Sequence, residues 1–291
     1  MKHTLKVTLI LVLLFLAAQI VGLFVIDKYI DKPKTIETGI TVYQDIPYFE
    51  RPDIKPSVSY IYVIIAILIG TGLLLLLIKF KKNILWKFWF FISVTLVLFI
   101  SLAAFVNRDS KIQLTIIGVL ALILAVYKVL RPNLIIQNLT EVLMYGGLAA
   151  IFVPIFNLLS IFILLIIISF YDMYAVWHSK HMIKLAKFQA KSKVFAGLFV
   201  PYQMPKIKEV KKKIGKVRTA ILGGGDIAFP LLFAGVVMKS FSFLQTLIIP
   251  FVVSVSLLIL FLKSEKGKFY PAMPFLTIGC LVGFVIVYLL F

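Results

Sequence analysis

Charged residues and cysteines are scarce in this sequence, and each scarcity excludes a class of protein. Charged side chains make up 15% of the 291 residues, against 62% hydrophobic residues, which is too few for a soluble domain of this length. Cys280 is the single cysteine, so the chain alone can form neither a disulfide framework nor a thiolate metal cluster. The net charge of +19 would suggest nucleic acid on a soluble protein. On so apolar a chain it indicates a membrane surface, and no nucleic-acid partner is expected.

Long apolar runs fill almost the whole chain. A helix that spans a bilayer needs about 20 such residues, and nine runs approach this length. We therefore predict an all-α polytopic protein with nine transmembrane helices, residues 1–291 forming a single transmembrane domain. The first run is too long for a removable signal peptide, and no small-residue cleavage site follows it. The runs are 7–26, 58–78, 88–106, 112–130, 134–153, 155–177, 219–238, 240–262 and 269–291.

The basic residues divide unequally between the two sides of the predicted bundle. One set of loops holds 23 of the 31 Lys and Arg residues, and the other set holds eight. The positive-inside rule places the N-terminus in the cytoplasm and the C-terminus outside, in a multi-pass protein of the cell membrane. The long inner loop, 179–218, is strongly basic and is expected to lie against anionic lipid. The long outer loop, 27–57, holds six of the twelve acidic residues.

Three acidic residues lie inside the apolar runs: Glu141, Asp172 and Asp226. Every Lys and Arg can be assigned to a loop or a turn, so no base is expected at their depth. An acid in a span is a functional candidate by default, because burying its charge is costly. At about 1.5 Å per residue, Asp172 lies about 8 Å from the inner end of the sixth run, and Asp226 about 10 Å into the seventh. The two aspartates therefore share one depth on consecutive antiparallel spans. Glu141 could hydrogen-bond a neighbour or line a water path.

Two carboxyls that meet in a dry site cannot both ionise, so the pair holds a single proton. This is the chemistry of aspartic proteases. The ionised aspartate takes a proton from water, while the protonated aspartate donates to the peptide carbonyl. Asp172 and Asp226 are accordingly predicted to be catalytic.

Three short motifs surround the two aspartates. They are Tyr171-Asp172 in the sixth run, Gly223-Gly224-Gly225-Asp226 in the seventh, and Pro271-Ala272-Met273 at the start of the ninth. In this order the motifs resemble the presenilin and signal peptide peptidase family, whose patterns are Tyr-Asp, Gly-x-Gly-Asp and Pro-Ala-Leu. The inferred orientation looks like presenilin, and the compact chain is similar to a prokaryotic, archaeal member.

The resemblance implies an intramembrane aspartyl protease that cleaves transmembrane helices with water and needs no cofactor or metal. It also implies that the region before Pro271 and part of the 179–218 loop pair with the unwound substrate as short strands. The one departure is Met273, which stands where the family has Leu; its similar volume should preserve packing. The glycines before Asp226 would let a substrate backbone approach closely.

Two other functions use the same residues. Intramembrane carboxylates also serve transporters and channels as proton or cation sites. A catalytically idle relative could bind membrane helices without cleaving them. His178 and His181 at the inner membrane edge have no Cys or acidic neighbour to complete a metal site. Nothing in the sequence indicates an oligomeric state.

Overall fold

The computed structural model describes residues 4–80, 82–131, 133–178, 188, 194–202, 219–265 and 270–291. The described chain is almost entirely helical, with one two-stranded sheet. Its elements are α1 (Leu5–Tyr29), α2 (Lys32–Thr38), α3 (Ser59–Lys79), α4 (Asn83–Ala103), α5 (Lys111–Leu130), α6 (Leu134–Phe152), α7 (Leu158–Met173), β1 (Gly197–Pro201), β2 (Thr219–Gly223), α8 (Gly224–Val237), α9 (Phe243–Thr246), α10 (Ile248–Lys263) and α11 (Met273–Leu290).

Eight helical segments among the described residues are long and apolar enough to cross a membrane. This confirms a multi-pass helical membrane protein. The seventh predicted span, 219–238, differs from the prediction. Its first five residues form β2, and the helix begins only at Gly224 and is 14 residues long. The count of nine spans and the orientation of the termini stay predictions.

Several helices begin where a short polar side chain caps the first turn. Asn133 accepts a hydrogen bond from the N–H of Ile136 at the start of α6, at 2.8 Å. Asn157 does the same for Ser160 at the start of α7, also at 2.8 Å. Each bond satisfies one N–H that has no partner within its helix. The Asn157 cap ends the turn at Pro154, which carries the chain from α6 into α7.

Helix α8 lies at the centre of the bundle and packs against α1, α6, α7, α10 and α11. Side chains from these helices form the larger of two buried apolar clusters. The smaller cluster joins α4 and α5 to α6. Helix α3 lies at the periphery, where almost all of its apolar surface is exposed, as expected for a helix surrounded by lipid. The short helix at the centre is therefore the one most shielded from lipid.

Strands β1 and β2 pair in antiparallel register, from Gly197 opposite Gly223 to Pro201 opposite Thr219. The pairing continues into the first residue of α8, because the Gly224 N–H donates to the Ala196 carbonyl at 3.1 Å. β1 belongs to the predicted inner loop, 179–218, most of which lies outside the described residues. Strands were expected from part of this loop and from the region before Pro271. In the region before Pro271 the structure describes residues 264, 265 and 270, and none of these three lies in a strand.

The outer loop is fixed to the bundle by polar contacts. Arg108, in the turn between α4 and α5, donates to the Gln44 side chain of this loop. Its guanidinium also donates to the Lys28 carbonyl at 2.8 Å and stacks over the Tyr29 ring at 4.0 Å. Thr41 donates its hydroxyl to the Lys239 carbonyl at 2.8 Å. The Lys239 ammonium also donates to two carbonyls between α6 and α7, that of Pro154 at 3.0 Å and that of Phe156 at 2.7 Å. These contacts close the end of the bundle opposite the strands.

Candidate active site

Asp172 lies in the last α-helical turn of α7 and is 7% exposed. Its carboxylate accepts a hydrogen bond from the backbone N–H of Met273 at 3.0 Å. Met273 is the first residue of α11, so this N–H is one that the helix itself cannot satisfy. The positive end of the α11 dipole also faces the carboxylate. The Pro271-Ala272-Met273 motif therefore meets Asp172 through the backbone, and Leu or Met at position 273 would offer the same donor.

A second contact holds α7 and α11 in this arrangement. The hydroxyls of Ser169 and Thr277 are 2.8 Å apart, and both side chains are buried. Ser169 precedes Asp172 by three residues, and Thr277 follows Met273 by four. The two hydrogen bonds between these helices are thus about one turn apart, which fixes both the spacing and the rotation of α7 against α11.

Asp226 lies in the first turn of α8, directly after β2. Its carboxyl lies beside Gly223, the last residue of β2. One turn further on, Pro230 lies inside the helix and has no N–H to offer the Asp226 carbonyl. Gln19 of α1 supports the same turn, because its amide donates to the Ile227 carbonyl at 2.8 Å. Asp226 is therefore held at a strand-to-helix junction that is bonded to neighbouring elements.

The two aspartates lie at the same end of neighbouring helices. Asp172 is near the end of α7 and Asp226 is in the first turn of α8, and α7, α8 and α11 pack together. No base forms an ion pair with either acid within the described part of the chain. The half-buried Tyr171 adjoins Asp172, so all three predicted motifs converge on one site. Two carboxyls that meet at such a site share one proton.

The three glycines before Asp226 occupy different surroundings. A side chain at Gly224 would place its Cβ 2.7 Å from the Tyr145 hydroxyl and 3.3 Å from the Ala196 carbonyl. A Cβ at Gly223 would lie 3.2 Å from the carboxyl of Asp226. Gly225 is exposed, and a Cβ there would meet nothing closer than 3.5 Å. Gly224 therefore permits close internal packing, while Gly225 leaves the surface beside Asp226 free of side chains.

The expectation that Glu141 has no base at its depth is wrong. Lys128 was predicted to lie in the loop that follows the fourth run. It lies instead in the last helical turn of α5 and is 2% exposed. Its ammonium is 2.6 Å from a Glu141 oxygen, and Glu141 is fully buried. The other Glu141 oxygen accepts the hydroxyl of Tyr145. Glu141 is thus an ion-paired acid that hydrogen-bonds its neighbours, and it differs from both aspartates in this respect.

Sequence reasoning also missed Gln137 and Asn138, whose amides bond to the backbone of β1. A signal was present, because four polar residues of α6 lie within five positions: Gln137, Asn138, Thr140 and Glu141. Such a density of polar groups in a membrane helix predicts an inward-facing polar contact. The sequence could not reveal the strand that receives it.

Comparison with known proteins gives one family. The family model described as "Signal-peptide peptidase, presenilin aspartyl protease" matches residues 39–291. Two solved structures, each described as a presenilin family intramembrane aspartate protease, have the same fold. The structure in space group P2 has a TM-score of 0.62 at 20% identity and covers 97% of both chains. The structure in space group C222 has a TM-score of 0.64 at 19% identity and covers 98% of this chain and 99% of the other. No curated protein sequence matches significantly.

Proposed function

The chain belongs to the signal-peptide peptidase and presenilin aspartyl protease family, and on this premise we propose that Asp172 and Asp226 are its catalytic pair. The protein is thus an intramembrane aspartyl protease, and the transporter hypothesis has no support from the comparisons. One observation carries the assignment of the residues. Asp172 and Asp226 lie at the same end of packed helices, and neither forms an ion pair with a base within the described residues, whereas Glu141 does.

The proposed reaction is hydrolysis of a peptide bond by water. One carboxylate accepts a proton as water attacks the peptide carbonyl, while the other carboxyl donates its proton to the carbonyl oxygen. The resulting tetrahedral intermediate collapses when the amide nitrogen is protonated and leaves. The backbone N–H of Met273 orients the Asp172 carboxyl without supplying a competing charge. No metal or organic cofactor takes part in this scheme.

The substrate is proposed to be a transmembrane helix that unwinds and adds to the sheet as a strand. In an antiparallel pair, successive residues point their N–H and C=O groups alternately toward and away from the partner strand. The backbone N–H and C=O of Phe199 both bond to the Asn138 side chain. Phe199 and Ile221, the residue opposite it on β2, are therefore not hydrogen-bonded to each other. Ile221 therefore directs its backbone groups to the outer edge of β2, where its side chain is 41% exposed. An added strand there would run beside Asp226.

The membrane surroundings form part of the proposal. With the N-terminus in the cytoplasm and the C-terminus outside, the strands and both aspartates would lie near the inner face of the cell membrane. The basic 179–218 loop would then meet anionic lipid, which attracts each basic residue by about 1 kcal/mol. Faster cleavage in vesicles with anionic lipid than in neutral vesicles, with the difference lost at high salt, would support this placement.

The decisive experiment uses the purified protein and a transmembrane peptide substrate. Wild-type protein is expected to yield two peptides, and the Asp172→Ala and Asp226→Ala variants none. Leu139→Ala, which changes a lipid-facing side chain of α6 that is 50% exposed, serves as the control. Cleavage by either aspartate variant at the wild-type rate would overturn the assignment.

A further inference from the structure

One edge of the small sheet is bonded to side chains of α6. The Asn138 amide nitrogen donates to the Phe199 carbonyl at 2.7 Å, and its oxygen accepts the Phe199 N–H at 2.9 Å. This pair of hydrogen bonds reproduces what a residue on a neighbouring strand would offer. Asn138 therefore satisfies both backbone groups of the central residue of β1 on the side away from β2.

Gln137 extends the same contact along this edge to Gly197, two residues before Phe199, and to Phe195. Its amide nitrogen lies 3.0 Å from the Phe195 carbonyl and 3.0 Å from the Gly197 carbonyl. It also lies 2.9 Å from a Glu141 oxygen, so its two protons have three acceptors within reach. Gln137 and Asn138 together contact three carbonyls and one N–H of residues 195–199.

The Gln137 amide is held by a buried polar network. Lys128 contacts both Glu141 and the Thr140 hydroxyl, the latter at 3.1 Å. Glu141 accepts in addition from Gln137 and from the Tyr145 hydroxyl. Every member of this network has a partner, which is the condition under which buried polar groups impose one arrangement. The network is expected to select one conformation more than to add stability, because an apolar core of equal volume would be about as stable.

The network reaches the catalytic helix at its other end. The Tyr145 hydroxyl lies against Gly224, where a Cβ would be 2.7 Å away. Gly224 also donates its N–H to Ala196, which lies between the two carbonyls that Gln137 contacts. The α6 side chains are thus connected to Asp226 along both β1 and the first turn of α8.

From these contacts we propose that Gln137 and Asn138 are positioning residues that substitute for a third strand on the outer edge of β1. Their amides occupy this edge, so β2 keeps the edge at which an unwound substrate can pair. They also fix the height of the sheet relative to α6, and hence which substrate bond lies opposite the aspartates. The inference rests on the proposed function and adds to it the residues that set the register of cleavage.

The test compares Asn138→Leu with Leu139→Ala on one transmembrane peptide, with products identified by mass spectrometry. The rate is normalised to the folded fraction obtained from thermal unfolding. Asn138→Leu is expected to lower the normalised rate about tenfold, the loss typical of one or two hydrogen bonds. It should also spread cleavage over bonds adjacent to the wild-type position. Leu139→Ala should keep both the rate and the position.

Product position separates positioning from simple structural support. A structural role would lower the yield of folded protein and leave the cleaved bond unchanged, and this outcome would overturn the inference. Should Asn138→Leu fail to fold, Asn138→Ala removes the same two hydrogen bonds without adding apolar bulk and is judged by the same criteria. Failure of the proposed function has a different signature, namely cleavage that persists in the Asp172→Ala or Asp226→Ala variant.

Discussion

Glu141 and Asp172 lie on consecutive helices, and both carboxyls are buried, yet different groups surround them. Glu141 has an ammonium at 2.6 Å and further bonds from an amide and a phenol. Asp172 accepts from a backbone N–H at 3.0 Å, and Asp226 lies in the first turn of the helix packed beside it. The charge of the first carboxyl is neutralised by its partners, which bond both of its oxygens. The second is oriented but not neutralised, which leaves it able to exchange a proton with water and substrate.

Burial alone therefore does not identify a catalytic acid in a membrane helix. A buried acid that is paired with a base links two helices, and removing one partner of the pair destabilises the fold. A buried acid held by backbone donors and another acid is available for catalysis. Four sets of substitutions test this distinction and the packing around it.

The largest effect should come from changing the aspartates to asparagine. Asp172→Asn and Asp226→Asn are expected to lower the cleavage rate by about 10²–10⁴-fold, the usual contribution of a general acid or base. The free energy of unfolding should change by about 1 kcal/mol or less, because an amide oxygen can still accept from the backbone donor. Peptide cleavage and unfolding in detergent measure the two quantities. A large loss of stability would place Asp172 with Glu141 as a structural acid.

Removal of Glu141 should act mainly on stability. Glu141→Leu leaves the Lys128 ammonium buried without its partner and should cost about 3–5 kcal/mol. The double variant Lys128→Met with Glu141→Leu removes both charges and should recover most of that loss. Chemical unfolding of the single and double variants gives the comparison. If the double variant is as unstable as Glu141→Leu, the ion pair is not the reason for the loss.

The adjacent glycines provide a matched pair. Gly224→Ala places a methyl group against the Tyr145 hydroxyl, and such overpacking costs about 1–3 kcal/mol. Gly225→Ala adds the same methyl group at an exposed position and should leave the free energy of unfolding nearly unchanged. Thermal unfolding of both variants tests this difference. Equal destabilisation by the two substitutions would contradict the packing of Tyr145 against Gly224.

Lys239 offers the opposite case, a half-buried base that donates to carbonyls instead of an acid. Burial lowers the pKa of Lys239 from 10.5 to about 8. The unfolded chain therefore binds more protons between these values, and the contribution of this group to stability rises as the pH increases from about 8 to 10.5. The unfolding free energy of the wild type minus that of Lys239→Met, measured across that range, should increase with pH. A difference that shrinks would mean that an anionic partner holds Lys239.

The general fold was predictable from the sequence, and the two candidate aspartates could be singled out there, because each depends on local signals. Long apolar runs predict helices, and an acid inside a run is noticeable without knowledge of its neighbours. The partner of such an acid depends on helix rotation and packing, which the sequence does not display. Lys128 shows the difference: it lies two residues before the end of its run and was assigned to a turn, whereas its side chain points inward to Glu141.

The strand over 219–223 was missed for a related reason. The segment Thr219-Ala220-Ile221-Leu222-Gly223 is apolar and continuous with the helix that follows it, so hydropathy alone extends the helix through it. Its extended conformation depends on pairing with β1, which in turn is bonded to Asn138. Sequence reasoning gave the glycines one shared role, whereas the structure separates Gly224, which packs against Tyr145, from Gly225, which is open.

Binding of a transition-state mimic tests the central claim most directly. A peptide whose scissile amide is replaced by a hydroxyl-bearing carbon places that hydroxyl where the attacking water would lie, between Asp172 and Asp226. Wild-type protein should bind it at least about 100-fold more tightly than the matched peptide without the hydroxyl. Asp172→Asn and Asp226→Asn should each abolish this preference while retaining affinity for the matched peptide. A preference that survives both substitutions would show that the two aspartates do not form the catalytic pair.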